Sequence, residues 1–495
     1  MIVSHKHKFI FIKTRKTAGS SLQVALAEHC GPDDIITGQY RLGVDDNSHS
    51  AGLNMDKFCS THPHPELAQV KSFLGEEVWN SYFKFAFVRN PFDIAVSRYH
   101  WDLKGKMGVQ ETSVEGFQDW VKSGKLFDKD RAHLYTSTNG YVDLDFIGYY
   151  ENLEEDLDYI CNAIGLDTLS LPKLKSGYRD NSSYSNFYNE DTKQRVMQFY
   201  AEDFRLFRYN FENKNICKRR NILSVGDNFI ENDNISTPCI IYRDNEYKMY
   251  FSNHEGSVIK LATSSALEGP WQQKGAVLSL QDTPCDTHIA SPEVVVKGGK
   301  YVMYYHGDQD DTQGTFIAES SNGVDFVNTT SRPVCKFYLR VFEYKGVEYG
   351  IAKDGNNGAI LYNITDNFTP IANILPNARH CHALVKKDKL YLTYSTIGDS
   401  PEHIRLCTLD LGDTFEDWEV ISDEALILPT YKHEGGNLPI VKTQPGSSTR
   451  RYGRPVAELR DPFMFEVNGK VHILYVTRGE SSIAYARCIN YFNED

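Results

Sequence analysis

The stretch "KFIFIKTRKTAGSSLQVAL", Lys8 to Leu26, decides how the first part of the chain folds. Phe9 to Ile12 form a short run of aromatic and β-branched residues, as in a buried strand. A turn crowded with Lys13, Arg15, Lys16, Thr17, Ala18, Gly19, Ser20 and Ser21 follows, and Leu22, Ala25 and Leu26 then resume helical spacing. Strand, small-residue turn and helix, in that order, aim backbone N–H groups and the positive helix end at one spot. Lys16 adds a mobile charge, Thr17, Ser20 and Ser21 add hydroxyl donors, and Gly19 lets a ligand approach the backbone. The turn suits a phosphate or sulfate ester. It is not a Walker A loop, where the Lys follows the second Gly; here Lys16 precedes Gly19. A solvated strand–helix turn uses the same residue types, so this stretch alone leaves both readings open.

A second stretch, "YFKFAFVRNPFDIAVSRYHW", Tyr82 to Trp101, shifts the balance. Its apolar strand delivers Arg89, Asn90-Pro91 breaks the strand, and a helix from about Pro91 would carry Ser97. Arg89 offers a planar fork and Ser97 a short donor, a pair suited to a further phosphate. A salt-bridged Arg at a strand end is the plainer alternative. "NLEEDLDYICNAIGL" reads as a helix, with Leu153, Leu157, Ile160, Cys161 and Ile164 on one face, Asn152 and Glu155 as cap and Gly165 at its end. Strands alternating with helices predict an α/β domain with a largely parallel sheet over residues 1–212.

"KTRKTAGSSL" and "FKFAFVRNPFDIAVSRYHW", with "DFIGYYENLEEDLDYICNAIGL" and "YAEDFRLFRYNF" further on, resemble the carbohydrate sulfotransferases of sulfotransferase family 2, which use 3′-phosphoadenosine 5′-phosphosulfate (PAPS). The resemblance implies a P-loop-like fold, PAPS as donor and a carbohydrate acceptor. It further implies that Arg15, Lys16, Thr17, Ala18, Gly19, Ser20 and Ser21 hold the 5′-phosphosulfate, and that Arg89 and Ser97 hold the 3′-phosphate. Many members have His and Pro where this chain has Lys13 and Arg15. Tyr184 and Tyr188 fall where relatives close over the nucleotide. Sulfuryl transfer needs charge stabilisation at the leaving phosphate, here from Lys16, an in-line geometry, and a base for the acceptor hydroxyl. "STHPHPELAQV" offers His62 and His64. The position of His64 six residues before Val70 matches related sequences, with His62 the alternative and Glu66 and Asp93 lesser candidates. The scheme needs no metal.

From about residue 225 the rhythm changes, after a polar, basic segment, 213–224, that reads as a linker. "TPCIIYRDNEYKMYF", "SPEVVVKGGKYVMYY", "LRVFEYKGVEYGIA", "CHALVKKDKLYLTYS" and "DPFMFEVNGKVHILYV" each pair an apolar strand, a polar turn and a second Tyr-bearing strand. Their recurrence at roughly 40 to 55 residues is propeller spacing, so residues 225–495 are expected to form a five-bladed all-β propeller. A β-sandwich is the alternative. "HIASPEVVVKGGKYVMYYHG" and "ELRDPFMFEVNGKVHILYVTRGESSIAYA" resemble the five-bladed glycoside hydrolases of families 43 and 32, which line a central funnel with carboxylates. That resemblance implies funnel positions for Asp233, Asp286, His288, Glu293, Arg340, His382, Arg460, Asp461 and Glu480, with His306 and His380 also in reach. Thr237-Pro238 stands where a catalytic Asp-Pro would be, so glycan binding is expected ahead of hydrolysis.

The chain of 495 residues carries a formal net charge of -13, which argues against a general nucleic-acid or membrane-surface binder while leaving room for a local anion pocket. Its ten cysteines stand singly, without a C-x-x-C pair, as expected of reduced thiols in the cytoplasm. No apolar stretch reaches the length of a membrane span. Two alternatives remain beside a transferase with a glycan-binding propeller: a bifunctional sulfotransferase and glycosidase, and a kinase-like nucleotide-binding first domain.

Overall fold

A computed structural model describes residues 1–37, 53–54, 64–108, 111–125, 134–174, 177–179, 182–224, 234–355, 357–446 and 448–492. The chain folds as two compact units, Met1–Lys218 and Arg219–Asp495.

In the first unit the elements run β1 (Ile2–Ser4), β2 (Phe9–Ile12), α1 (Gly19–Ala27), β3 (Ile35–Ile36), α2 (Leu67–Ser81), β4 (Phe83–Val88), α3 (Pro91–His100), α4 (Val114–Lys122), β5 (Phe146–Tyr149), α5 (Leu153–Ile164), α6 (Glu190–Phe199) and α7 (Ala201–Phe207). The sheet order is β3-β1-β2-β4-β5. β2, β4 and β5 pair in parallel, whereas β1 pairs antiparallel with both β2 and β3. The expected parallel sheet is therefore a mixed one. β1 returns to β2 through the tight connection at residues 5–8, too short for a crossover, so that pair must run antiparallel.

The parallel strands are covered by helices, which is why their sequences read as continuous apolar runs. Phe9, Phe11, Phe85, Phe87 and Phe146 pack with Leu22 and Leu26 of α1 and Leu157, Ile160 and Ile164 of α5 in one buried cluster. α3, α4 and α6 share a second core, in which Phe92 is surrounded by Tyr184, Tyr188 and Phe211. Asn152 precedes α5 without capping it; its side chain donates to Asp156 Oδ1 instead, at 2.8 Å. Gly165 ends α5 in the left-handed region, as its sequence position suggested.

The second unit is built on five four-stranded sheets. Their innermost strands, Ser236–Arg243, Ile289–Lys297, Phe337–Tyr344, Ala378–Lys386 and Leu459–Val467, adjoin one another in a closed ring, which makes a five-bladed propeller. Each of the five repeats identified in the sequence supplies the two inner strands of one blade. In blades one, two, three and five the hairpin between them places both turn residues at positive φ (Asp244-Asn245, Gly298-Gly299, Lys345-Gly346, Asn468-Gly469), the geometry that matches strand twist. The stretch 213–224, expected as a linker, is largely the strand Asn215–Ser224, and it forms the outer strand of blade five. The early strand thus closes the ring against the last blade. No helix among the described residues is long and apolar enough to cross a membrane.

Candidate functional sites

Because β2 and β4 pair in parallel, with Ile12 opposite Ala86, their carboxyl ends lie side by side. The turn of residues 13–18 leaves β2 and Arg89 leaves β4, each followed by a helix, the arrangement in which open α/β sheets bind anions. Within the turn Lys16 (φ 62°) and Ala18 (φ 58°) are left-handed although neither is glycine. Each such residue costs on the order of 1 kcal/mol. Thr14 and Thr17 tie the turn together: their hydroxyls lie 2.7 Å apart, and Thr14 also donates to the Phe87 carbonyl. Gly19 opens α1 at a point where a Cβ would come within 3.0 Å of both Lys13 Cγ and Thr14 O. A larger residue would require these neighbours to give by a few tenths of an ångström.

Lys13 is buried and donates to Gln23 Oε1 at 2.6 Å, so its charge stays within the fold. Arg15, Lys16 and Ser20 are half-buried at the surface of the turn, while Thr17 and Ser21 are buried. Lys16 Nζ lies 5.1 Å from the centroid of the Trp101 ring. Arg89 reaches back with Nη1 to the Lys16 carbonyl at 3.1 Å, stacks its guanidinium 3.9 Å from the Tyr150 ring centroid, and pairs with Asp93 at 2.6 Å. Asp93 also takes Arg179 at 2.5 Å, and the two guanidinium groups hold its carboxyl below the usual range against the opposing effect of burial. Ser97 lies half-buried further along α3. Arg179 carried no sequence signal, being a single residue remote from the motifs; Trp101 ends the second motif and Tyr150 lies in the third resembling segment, but no role is read for either from the sequence.

His64 lies beside the turn. Its Nδ1 donates to the Lys13 carbonyl at 2.7 Å, a tautomer that leaves the lone pair on Nε2. Burial, reinforced by the positive charges of the N-terminus, Lys13 and Arg15, lowers its pKa to about 3. His62 lies outside the described residues. Glu66 is the N-terminal cap of α2, exchanging bonds with Gln69, and Asp93 is occupied by two arginines. Tyr184 and Tyr188 donate to the Phe211 and Phe92 carbonyls from within the aromatic core.

In the propeller, every innermost strand slips register near its start, at Ser236/Cys239, Ala290/Glu293, Phe337/Arg340, Ala378/Cys381 and Arg460/Phe463. Four blades place a non-glycine residue in the left-handed region at this bulge: Thr237, Ser291, Tyr338 and Asp461. Repeated strain at equivalent positions is characteristic of functional rims. Among these four residues only Asp461 is a carboxylate. Its Oδ2 accepts the Thr237 N–H at 3.0 Å and its Oδ1 contacts His380 Nδ1. These contacts, with Arg460, hold it ionised far below the usual range despite burial.

Behind Asp461, Arg460 contacts Glu458 and lies 2.7 Å from Glu480 and 3.7 Å from Glu402, and Arg379 meets Glu402 at 2.8 Å. Arg379 and Arg460 also donate to the carbonyls of Gln444 and Gly446, pinning the long segment before blade five over the starts of blades four and five. One layer further in, Glu293 faces Arg340 at 3.4 Å and His382 at 3.8 Å. Burial pushes Glu293 up to about 7. His288 pairs with Asp308 at 3.2 Å. Asp286, expected in the funnel, is exposed and accepts the Asp310 N–H at 2.8 Å, because it belongs to the turn preceding blade two and not to the innermost strand. Asp233 lies outside the described residues, and among those described no cluster has the make-up of a metal site.

The class that emerges is an α/β domain with a basic, glycine-opened cradle at two parallel strand ends, followed by a five-bladed propeller with a polar mouth. The family model described as "Sulfotransferase family" matches residues 1–210, nearly the whole first unit, and that part of the chain belongs to the sulfotransferase family. The chain is 31% identical over 288 residues to the uncharacterized protein R118 of Acanthamoeba polyphaga mimivirus, covering 50% of this chain and 78% of that one. It is 24% identical over 253 residues to carbohydrate sulfotransferase 10 of Gallus gallus, covering 42% of this chain and 66% of the relative. Among solved structures, a thermostable family-43 glycoside hydrolase aligns at 15% identity with a TM-score of 0.40, covering 54% of this chain and 93% of that one.

Proposed function

We propose that the first unit transfers a sulfuryl group from PAPS to a carbohydrate hydroxyl, and that the propeller holds the glycan. The observation that carries this reading is the joining of the two motifs at neighbouring strand ends, with Arg89 bonded to the Lys16 carbonyl. The residues fit such a donor: a turn where a Cβ would collide, hydroxyl and N–H donors at the start of α1, and an arginine fork one strand away. Arg15, Lys16 and Thr17 to Ser21 would hold the 5′-phosphosulfate, and Arg89 and Ser97 the 3′-phosphate. When bound, PAPS supplies an activated sulfuryl group on a phosphate leaving group.

Lys16 and the α1 N–H groups favour negative charge in the turn. Asp93 positions Arg89 and Arg179. His64, with the lone pair on Nε2, takes the proton of the acceptor hydroxyl there while the Lys13 carbonyl fixes its ring. The cations that weaken His64 as a base are the ones an anionic donor offsets, so loading the site strengthens it.

Labelled PAPS supplied with a panel of glycans tests the reading on wild type, Lys16→Ala and His64→Ala. Loss of about 10²-fold or more in transfer by Lys16→Ala is expected; transfer equal to wild type sinks the assignment. A kinase-like unit would instead bind Mg-ATP in preference to adenosine 3′,5′-bisphosphate. A hydrolytic propeller is favoured by one observation, the split between an ionised Asp461 and a Glu293 near neutrality, which is how an acid and a base are divided. Release of an aryl leaving group from aryl glycosides, abolished in Glu293→Gln and Asp461→Asn, would establish it.

A further inference from the structure

At the mouth of the propeller, blades two, three and four bring together His306, Phe337, Tyr338, Lys353 and His380. The His306 ring stacks on Phe337 at 5.1 Å and meets Tyr338 at 4.6 Å, and Tyr338 meets His380 at 4.3 Å. Lys353 lies opposite Phe337 in the strand pairing, with Nζ 5.7 Å from the ring centroids of both Phe337 and Tyr338. His306 is 3% exposed, and neither of its ring nitrogens has a hydrogen-bond partner. A buried imidazole with both polar atoms unsatisfied is expensive unless something enters to bond it. Lys353 is equally unpaired: no carboxylate among the described residues lies within ion-pairing distance of it. Phe337, Tyr338 and Lys353 are half-buried, so a ligand reaches them from solvent while His306 stands behind.

We propose that this cluster binds the oxyanion of a negatively charged saccharide, a sulfate ester or a uronate carboxylate, with Lys353 and His306 on the anion and Tyr338 against the sugar ring. Donors outnumber acceptors here. An ammonium and an imidazole converge, while the nearby carboxylates are spent, Asp461 on His380 and Thr237, Glu402 on Arg379. An aromatic pair that already holds an ammonium leaves no place for a cationic ligand. The inference rests on the glycan-holding reading of the propeller for the sugar alone; the anion follows from the cluster.

The affinity should be tighter at pH 6.5 than at pH 9, since burial, aided by Arg379 and Arg460 and opposed by Glu402 and Asp461, leaves Lys353 titrating near 8, and an anion favours its protonated form. His288, His306 and His380 face the same space, but burial holds them neutral across this interval, so the difference is carried by Lys353.

Calorimetry on the full chain, with a sulfated disaccharide, a uronic-acid disaccharide, the neutral disaccharide and inorganic sulfate, decides the matter. Either or both charged disaccharides should bind at least about tenfold tighter than the neutral one, and the comparison of the two distinguishes ester from carboxylate. The preference should vanish in Lys353→Met, persist in Lys353→Arg, weaken in His306→Ala, and survive Lys16→Ala, which separates this mouth from the cradle of the first unit. Equal binding of neutral and charged sugars overturns the inference and leaves a glycan-holding propeller standing. Binding of inorganic sulfate alone overturns the sugar component, and no binding of any saccharide overturns both. A charged-sugar preference unchanged in a folded Lys353→Met variant overturns the residue assignment.

Discussion

Asp93 is the residue that aims Arg89 and Arg179. It grips Arg89 and Arg179 at once, so Asp93→Asn leaves both forks present and loosely aimed. The expected outcome is a rise in KM for the donor of about tenfold with kcat little changed, the signature of weakened binding and not of lost chemistry; a fall in kcat at constant KM would contradict it. His64 makes a second test. In the free protein its pKa is lowered to about 3, so the acid limb of kcat/KM should lie well below pH 6.5. In the loaded enzyme a polyanion offsets Lys13 and Arg15, and the acid limb of kcat should move to higher pH. Coincident limbs in the two profiles would remove His64 from the role of base. Lys16, Arg89 and His64 could be singled out in the sequence because each stands inside or just before a strand-and-turn pattern. Arg179 and Lys353 could not, since a lone cation far along the chain gives no sign of what the fold will set beside it.

Among the elements of the first unit, β4 and β5 pack closely. A Cβ at Gly148 would come within 2.4 Å of Phe87 Cε1, so the aromatic ring of one strand occupies the space a side chain would need on the next. Gly148→Ala should destabilise the first unit by about 1–3 kcal/mol, measured by urea unfolding; a neutral result would mean that Phe87 has another rotamer available. Local patterning foretold β2 and β4 well, because buried parallel strands read as unbroken apolar runs; β5, four residues long, is not read as a strand from the sequence alone. β1 and β3 were beyond such patterning: Ile2–Ser4 and Ile35–Ile36 are too short to show a period, and their antiparallel pairing depends on partners. The blades were legible through repetition of the hairpin, turn chemistry included. Asn215–Ser224 was not, since it lies outside the repeat and its charged composition resembles a connector.

For the molecule as a whole, pH acts through imidazoles kept neutral by burial. His64 is lowered to about 3 and His380 to about 4, and His288, His306 and His382 shift the same way. A histidine with a lowered folded pKa is neutral in both states above about 6.5; below that, the unfolded chain takes up the proton and folding loses up to about 1.4 kcal/mol per pH unit per group. Glu293 and Glu458, each raised to about 7, act oppositely, losing their contribution as pH climbs from about 4.5 to 7, and Glu151 is raised too. Five imidazoles outweigh these three carboxyls, so denaturant midpoints measured across pH should fall from about 6.5 towards 4. A flat profile over that interval would show that these rings are solvated.

The ring is closed by Asn215–Ser224, made before any blade, against a sheet whose other strands are made last. On the ribosome, four blades must therefore wait, with an early edge strand unmatched, until translation has delivered residues up to Ile489. Nascent chains halted between the first blade and that point carry two open β-edges, which are templates for pairing with neighbours. Production of this protein should accordingly depend on chaperone supply and elongation rate far more than its finished stability suggests, and C-terminal truncations should accumulate as aggregates.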